Sequence, residues 1–250
     1  NAFTSHEWTG YYAKAQVHEL DILIDVLSDM YINPVFDAAE IEKEKGVIIE
    51  EINMYEDTPQ RRVGELFMHL LYGDQPAGWD VGGRKEVIRS LNRDHFINYR
   101  NKHYLADATT VVVAGNFDKK TIVKKIEIAF KEMPSGNKGG KLKVRELQKD
   151  PQVFAKFKDT DQTHLVIGCR AFDAYDKRRY ALEVLTNILG GGMSSRLFSE
   201  VRDKRGLAYY VRAGIDPFTD SGYFAISAGV NNGKALEAIK VILDEVNKIN

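Results

Sequence analysis

The strongest constraint on how this chain can fold is a break in its pattern. Residues 134–140 read Pro-Ser-Gly-Asn-Lys-Gly-Gly, with no apolar periodicity, and the charged, weakly patterned residues 141–150 follow. Proline and glycine at this density interrupt helix and strand alike, so 135–150 is expected to be a linker. On each side the order is strands, helices, a strand and then a helix. That repeated order predicts an α+β fold with mainly antiparallel sheets rather than a doubly wound nucleotide-binding fold. The expected domains are 1–134 and 151–250.

In the first half, residues 1–5 and 9–15 read as strands joined by Ser-His-Glu-Trp, a hairpin connection. Leu20, Ile22, Leu23, Val26, Leu27 and Met30 form a helical stripe. Pro34 ends it, because proline disfavours helix at the residue before it. Asp37 is placed to cap a second helix. Further helices are expected after Pro59 and from about Asn92 to Tyr104, with a glycine-rich loop over 73–83 between them. The β-branched run 109–114 predicts a buried strand leading into a helix over 119–132. Beyond the linker, strands are expected at 153–158, 163–171, 209–215 and 223–230. Helices are expected over 178–189, near 196–202 and from about 234.

The 250 residues are 44% hydrophobic and 28% charged, the profile of a soluble globular protein, with a cytoplasmic location favoured. A net charge of −1 supplies no global field for nucleic acid or an anionic membrane. No apolar run approaches the ~20 residues that span a bilayer. The single cysteine, Cys169, cannot close an intrachain disulfide and sits in an apolar run, so it is expected to be a small buried hydrophobe. Patterned sequence runs up to both ends, and the chain is expected to be a piece of a longer polypeptide, truncated in both domains.

Two carboxylates carry the most chemical information. Glu44 and Glu51 are seven residues apart, and an α-helix turning about 100° per residue brings them within roughly 20° of each other. Glu40, Glu42, Glu50 and Glu56 share the stretch, so a solvated acidic face is the plain alternative. Gly190-Gly191-Gly192-Met193-Ser194-Ser195 lacks the Gly-Lys-Ser/Thr ending of a phosphate loop and follows a helix, so a flexible gate or a tight connection is expected. Arg202 and Tyr209 place a cation and a phenol at a helix end and a strand start, which alone is ordinary surface chemistry. The six histidines show no metal-ligand spacing.

Together these segments resemble one family. Asn1-Ala2-Phe3-Thr4-Ser5 followed by Tyr11-Tyr12-Ala13, Asn33-Pro34 and Glu44 through Glu51 is similar to the insulinase, pitrilysin and mitochondrial-processing-peptidase family. The run from Gly190 to Phe198 and the segment from Arg202 to Tyr210 resemble that family's second domain. The resemblance covers essentially the whole chain and implies a processing-peptidase-like metallohydrolase fold of two homologous α/β sandwich domains. It also implies a zinc metalloendopeptidase whose His-x-x-Glu-His helix lies upstream of Asn1, so that this fragment by itself is inactive. By the same resemblance Glu51 is the third zinc ligand, with Glu50 the alternative for a register one residue off, and Glu44 orients a histidine ligand. Asn1, Ala2 and Phe3 form an edge strand for a peptide substrate. Arg202 and Tyr209 hold substrate and the oxyanion, in a homodimer or a pair of homologous subunits. The rival readings are a non-catalytic or structural subunit of the same family and a plain peptide-binding module.

Overall fold

The computed structural model describes residues 1–137 and 139–249, and the chain divides into two compact units. One holds residues 1–51 and 81–141, the other 52–80 and 142 onward.

The first unit opens with the hairpin of β1 (Ala2–Thr4) and β2 (Thr9–Tyr11), antiparallel with Phe3 opposite Gly10. Asn1 and Tyr12 exchange two main-chain bonds of 2.9 and 3.0 Å. The Ser5 N–H donates to the Trp8 carbonyl at 2.9 Å and closes the turn. A Cβ on Gly10 would meet the Phe3 ring at 2.4 Å, so the ring lies on the glycine. Trp8 packs edge-on to that ring, with centroids 4.9 Å apart, a favoured aromatic arrangement.

Helix α1 (Leu20–Ile32) ends where Asn33-Pro34 was expected to stop it. Phe36 then adopts φ 51°, a conformation that costs a bulky residue energy and persists only when its surroundings enforce it. Here Arg93 donates to the Phe36 carbonyl at 2.9 Å, and the Phe36 and Phe96 rings lie 6.0 Å apart. Asp37 next accepts the Ala39 and Glu40 N–H groups at 2.9 and 3.0 Å, capping α2 (Ala38–Glu56) as its sequence position suggested. The unit continues with α4 (Lys85–Ser90), which the expected loop pattern did not reveal, and α5 (Arg93–His103), opened by a reciprocal Asn92/His95 cap. It ends with α6 (Lys119–Ala129) under an Asp118 cap.

The expected buried strand at 109–114 does not form. Val112 is 81% exposed, and these residues belong to no ladder. β-branched side chains favour an extended backbone, but a strand also needs partners for its N–H and C=O groups. Among the described residues no strand pairs with the segment, and the Thr109 N–H turns back to the Ala106 carbonyl at 3.1 Å instead. An open cavity of about 740 Å³, lined by Tyr12, Leu23, Leu27, Val111 and Phe130 among others, adjoins the segment. In this unit only Ser28, Leu105 and Ile122 are buried among the described residues.

The second unit holds α3 (Pro59–Tyr72), whose proline stands at the first turn where its missing N–H costs nothing. Its sheet has the order β3 (Gln162–Arg170), β5 (Gly222–Asn231), β4 (Ala208–Pro217), all antiparallel. Alternation along β3 sends Leu165 to one face and Gly168 to the other. Leu165 joins the main core with Leu189 of α7 (Arg179–Gly190) and Ile242 of α8 (Ala235–Asn247). That core also takes Leu197 and Val201, which flank and enter a π-helix at Phe198–Asp203. On the opposite face α3 comes so close that a Cβ on Gly168 would meet the Phe67 ring at 2.7 Å.

Two expectations fail in this unit. Residues 153–158 form no strand, and Val153 and Phe157 stand in solvent at more than nine-tenths exposure. The apolar alternation is present, but among the described residues no ladder receives it. Cys169 is exposed instead of buried. Leu165 and Ile167 on the same face are covered by the core, and that cover ends before the strand does.

Candidate active-site elements

α2 carries Glu44 and Glu51 two turns apart on one helix face, both exposed. Neighbouring carboxylates on α2 are paired: Glu40 with Lys43 and Glu42 with Lys45, each at 2.5 Å. No hydrogen bond or ion pair among the described residues engages the side-chain carboxylate of Glu44 or Glu51. Glu50 is also exposed but stands about 100° round the helix from Glu51. The part of the helix that lies in the first unit is held there by Lys45, whose ammonium reaches the Arg89 carbonyl at 3.4 Å with its side chain only 12% exposed. Arg93 and Phe36 fix the turn from which α2 starts.

These residues are oxygen donors, the type zinc accepts alongside imidazole. Among the described residues no three His, Cys, Asp or Glu side chains converge into a possible metal cluster. An exposed carboxylate of this kind has the donor chemistry of one position in a zinc ligand set.

Asn1, which precedes β1, and Ala2 and Phe3 of β1 lie at the surface. Asn1 spends its N–H and C=O on Tyr12. In an antiparallel ladder the next residue turns both groups the other way, so Ala2 offers a donor and an acceptor on the free edge. Phe3 is packed against Gly10 and Trp8.

In the second unit the structure brings Arg202 and Tyr209 together. The guanidinium carbon lies 5.5 Å from the centre of the Tyr209 ring and 4.8 Å from that of Phe198, within cation–π range. Tyr209 is 72% exposed, at the point where the β4–β5 register slips between Ala208 and Tyr210. The bulge lets consecutive residues depart from strict alternation. Arg202 stands on the π-helix, whose widened turn is closed by the Lys204 N–H donating to the Ser199 carbonyl at 2.9 Å. Such turns are uncommon and concentrate at functional sites. The glycine run is a tight contact rather than a free gate at its first position, where a Cβ on Gly190 would meet the Ala213 nitrogen at 2.3 Å.

Sequence reading missed two groupings. Tyr210 reaches across β5 to His164 at 3.0 Å, over Gly229, where a Cβ would meet the tyrosine ring at 2.4 Å. Burial lowers the His164 pKa and raises that of Tyr210. Arg196 bonds Glu245 across 49 positions of sequence. No short spacing announces either contact, because both depend on which strand or helix becomes a neighbour.

The family described as "Insulinase (Peptidase family M16)" matches residues 1–83, and "Peptidase M16 inactive domain" matches residues 90–250. The chain belongs to the insulinase, or M16, peptidase family. It is similar to the uncharacterized zinc protease YmxG of Bacillus subtilis, with 38% identity over 229 residues, covering 92% of this chain and 55% of that protein. An uncharacterized zinc protease of Streptomyces coelicolor is 35% identical over 258 residues, covering 100% of this chain and 56% of that protein. The fold is shared with a protease from Helicobacter pylori at TM-score 0.88 and 22% identity, over 99% of this chain and 62% of that one. The chain thus spans a little over half the length of the curated relatives it matches.

Proposed function

We propose that this chain is part of a zinc-dependent metalloendopeptidase, in which Glu51 is a zinc ligand and Glu44 orients a histidine ligand. The observation that carries the reading is the pair of in-phase, exposed and unpaired carboxylates on α2 of an M16 chain. Glu44 lies too far along the helix to share one ion comfortably, but it can accept the outer N–H of an imidazole and hold that ring's tautomer. Zinc, when bound, polarises a scissile carbonyl and acidifies water.

The chain's own residues supply the remaining roles. An extended peptide adds to the free edge of β1, bonded through the main chain of Ala2. Edge addition reads backbone more than side chains and tolerates varied sequences. Arg202 orients a substrate carbonyl or carboxylate, and the Tyr209 phenol donates to the oxyanion of the tetrahedral intermediate. The pair serves the site of a homodimer partner or a homologous subunit. The 250 residues alone, without the remaining zinc ligands, are inactive. The homologous domains are 1–134 and 151–250, joined by 135–150. No helix among the described residues is long and apolar enough to cross a membrane.

The second reading is a non-catalytic subunit of the same family; the inactive-domain match over residues 90–250 describes one domain and is compatible with either. Zinc analysis of the full-length protein separates the two. One zinc per chain and chelator-sensitive cleavage of a quenched fluorescent peptide are expected, with Glu51→Gln removing both. Unchanged metal content in Glu51→Gln would sink the ligand assignment. A folded protein with neither zinc nor cleavage would establish the non-catalytic subunit.

A further inference from the structure

Glu245 on α8 is the one charged residue buried among the described residues, and its side chain is 4% exposed. Both carboxylate oxygens are engaged. Oε2 accepts Nε and Nη2 of Arg196 at 3.1 and 2.9 Å, and Oε1 accepts Lys248 at 2.5 Å. Burial pushes the Glu245 carboxyl up, and the bonds from Lys248 and Arg196 outweigh it, holding it below the ordinary carboxylate range. A buried ion pair is a poor way to add stability, because desolvation cancels most of its attraction. What such a pair supplies is direction.

Direction is what this part of the fold requires. Arg196 stands between the glycine run and the π-helix that carries Arg202. Leu197 and Val201 are fully buried and hold that helix against the core, but apolar burial is non-directional and restrains roll about the helix axis weakly. A two-donor bond from Arg196 to a carboxylate that Lys248 keeps from rotating fixes the roll at the start of the helix. One turn later that roll sets where Arg202 meets Tyr209.

We infer that Glu245 is a positioning residue, which through Arg196 sets the π-helix and so holds Arg202 over Tyr209. The inference rests on the proposed role of Arg202 and Tyr209, and its test is a double-mutant cycle in the full-length protein. Glu245→Gln keeps the shape and removes the charge. It is expected to lower kcat/KM for a quenched fluorescent peptide about tenfold, or about 1.4 kcal/mol, at unchanged zinc content. In an Arg202→Ala background the same change is expected to cost nothing further, because the two act as one unit. Additive losses would overturn the inference and leave Glu245 as a stabilising residue only.

Amide exchange of the full-length protein gives a readout without turnover. The Lys204 and Gly206 N–H groups, bonded to the Ser199 and Arg202 carbonyls at 2.9 and 3.0 Å, should exchange about tenfold faster in Glu245→Gln, while β5 amides keep their rates. Unchanged exchange at Lys204 and Gly206 would overturn the inference equally. Wild-type activity insensitive to chelator, or untouched by Arg202→Ala, would defeat the functional reading instead.

Discussion

Substituting each end of the glycine run by alanine should give opposite results, and the difference is calculable from the close contacts. At Gly190 the added Cβ would lie 2.3 Å from the Ala213 nitrogen, 2.8 Å from the Ala213 Cβ and 3.0 Å from the Arg212 carbonyl carbon. Two of those atoms are backbone of β4, the strand that α7 packs against, so no rotamer change relieves the overlap. The end of α7 must move away from the sheet. Overpacking of this kind costs about 1–3 kcal/mol, against a gain of up to about 1 kcal/mol from replacing glycine in a helix. At Gly192 nothing lies within 4 Å and no positive φ is required. Alanine there reduces unfolded-chain entropy and stabilises by roughly 0.4–1 kcal/mol. A net loss of about 1–2 kcal/mol for Gly190→Ala corresponds to a Tm fall of about 2–8 °C in a chain of this size. Gly192→Ala should match or slightly exceed the wild-type Tm. Calorimetry of the two variants side by side decides it, and equal melting temperatures would refute the argument from close approach.

Acid should unfold the second unit partly through Glu200, whose carboxyl is held down at about 2 by bonds from Arg205 and Lys204. A lowered folded-state pKa stabilises above the unfolded value near 4.5 and loses that contribution as pH falls towards 2. The Tm difference between wild type and Glu200→Gln should therefore shrink over that window, and a constant difference would contradict the assignment. Cys169 is exposed, with partial burial pushing its thiol up. Ellman's reagent should modify it without denaturant, more slowly than free cysteine at the same pH, and complete protection in the native protein would show that another surface covers it.

Much of the fold was legible because local chemistry and tertiary context agreed. Asp37 stands where a helix cap was expected and accepts the backbone N–H, and Asn92 and Asp118 cap their helices in the same way. Pro34 and Pro59 mark a helix end and a helix start by the constraints of the proline ring. α4 was missed because six residues between glycines and Leu91 are too few to display helical periodicity. Of the candidate site, the phase of Glu44 and Glu51 follows from helix geometry alone, and the free edge groups of Ala2 follow once the hairpin register is known.

By itself, then, the sequence determined what depends on neighbours along the chain: the longer helices, the Asp37 cap, the hairpin at the N-terminal end and the common face of two carboxylates. Only the tertiary structure decided what depends on partners remote in sequence. Residues 109–114 and 153–158 carry strand composition yet form no ladder among the described residues, because a strand exists only when another edge receives its hydrogen bonds. Cys169 is exposed because the core's cover stops short of the end of β3. Arg196 meets Glu245, and Arg202 meets Tyr209, because α8 and a bulged strand arrive beside a π-turn. Local propensity is written residue by residue, whereas burial and pairing belong to the assembled fold.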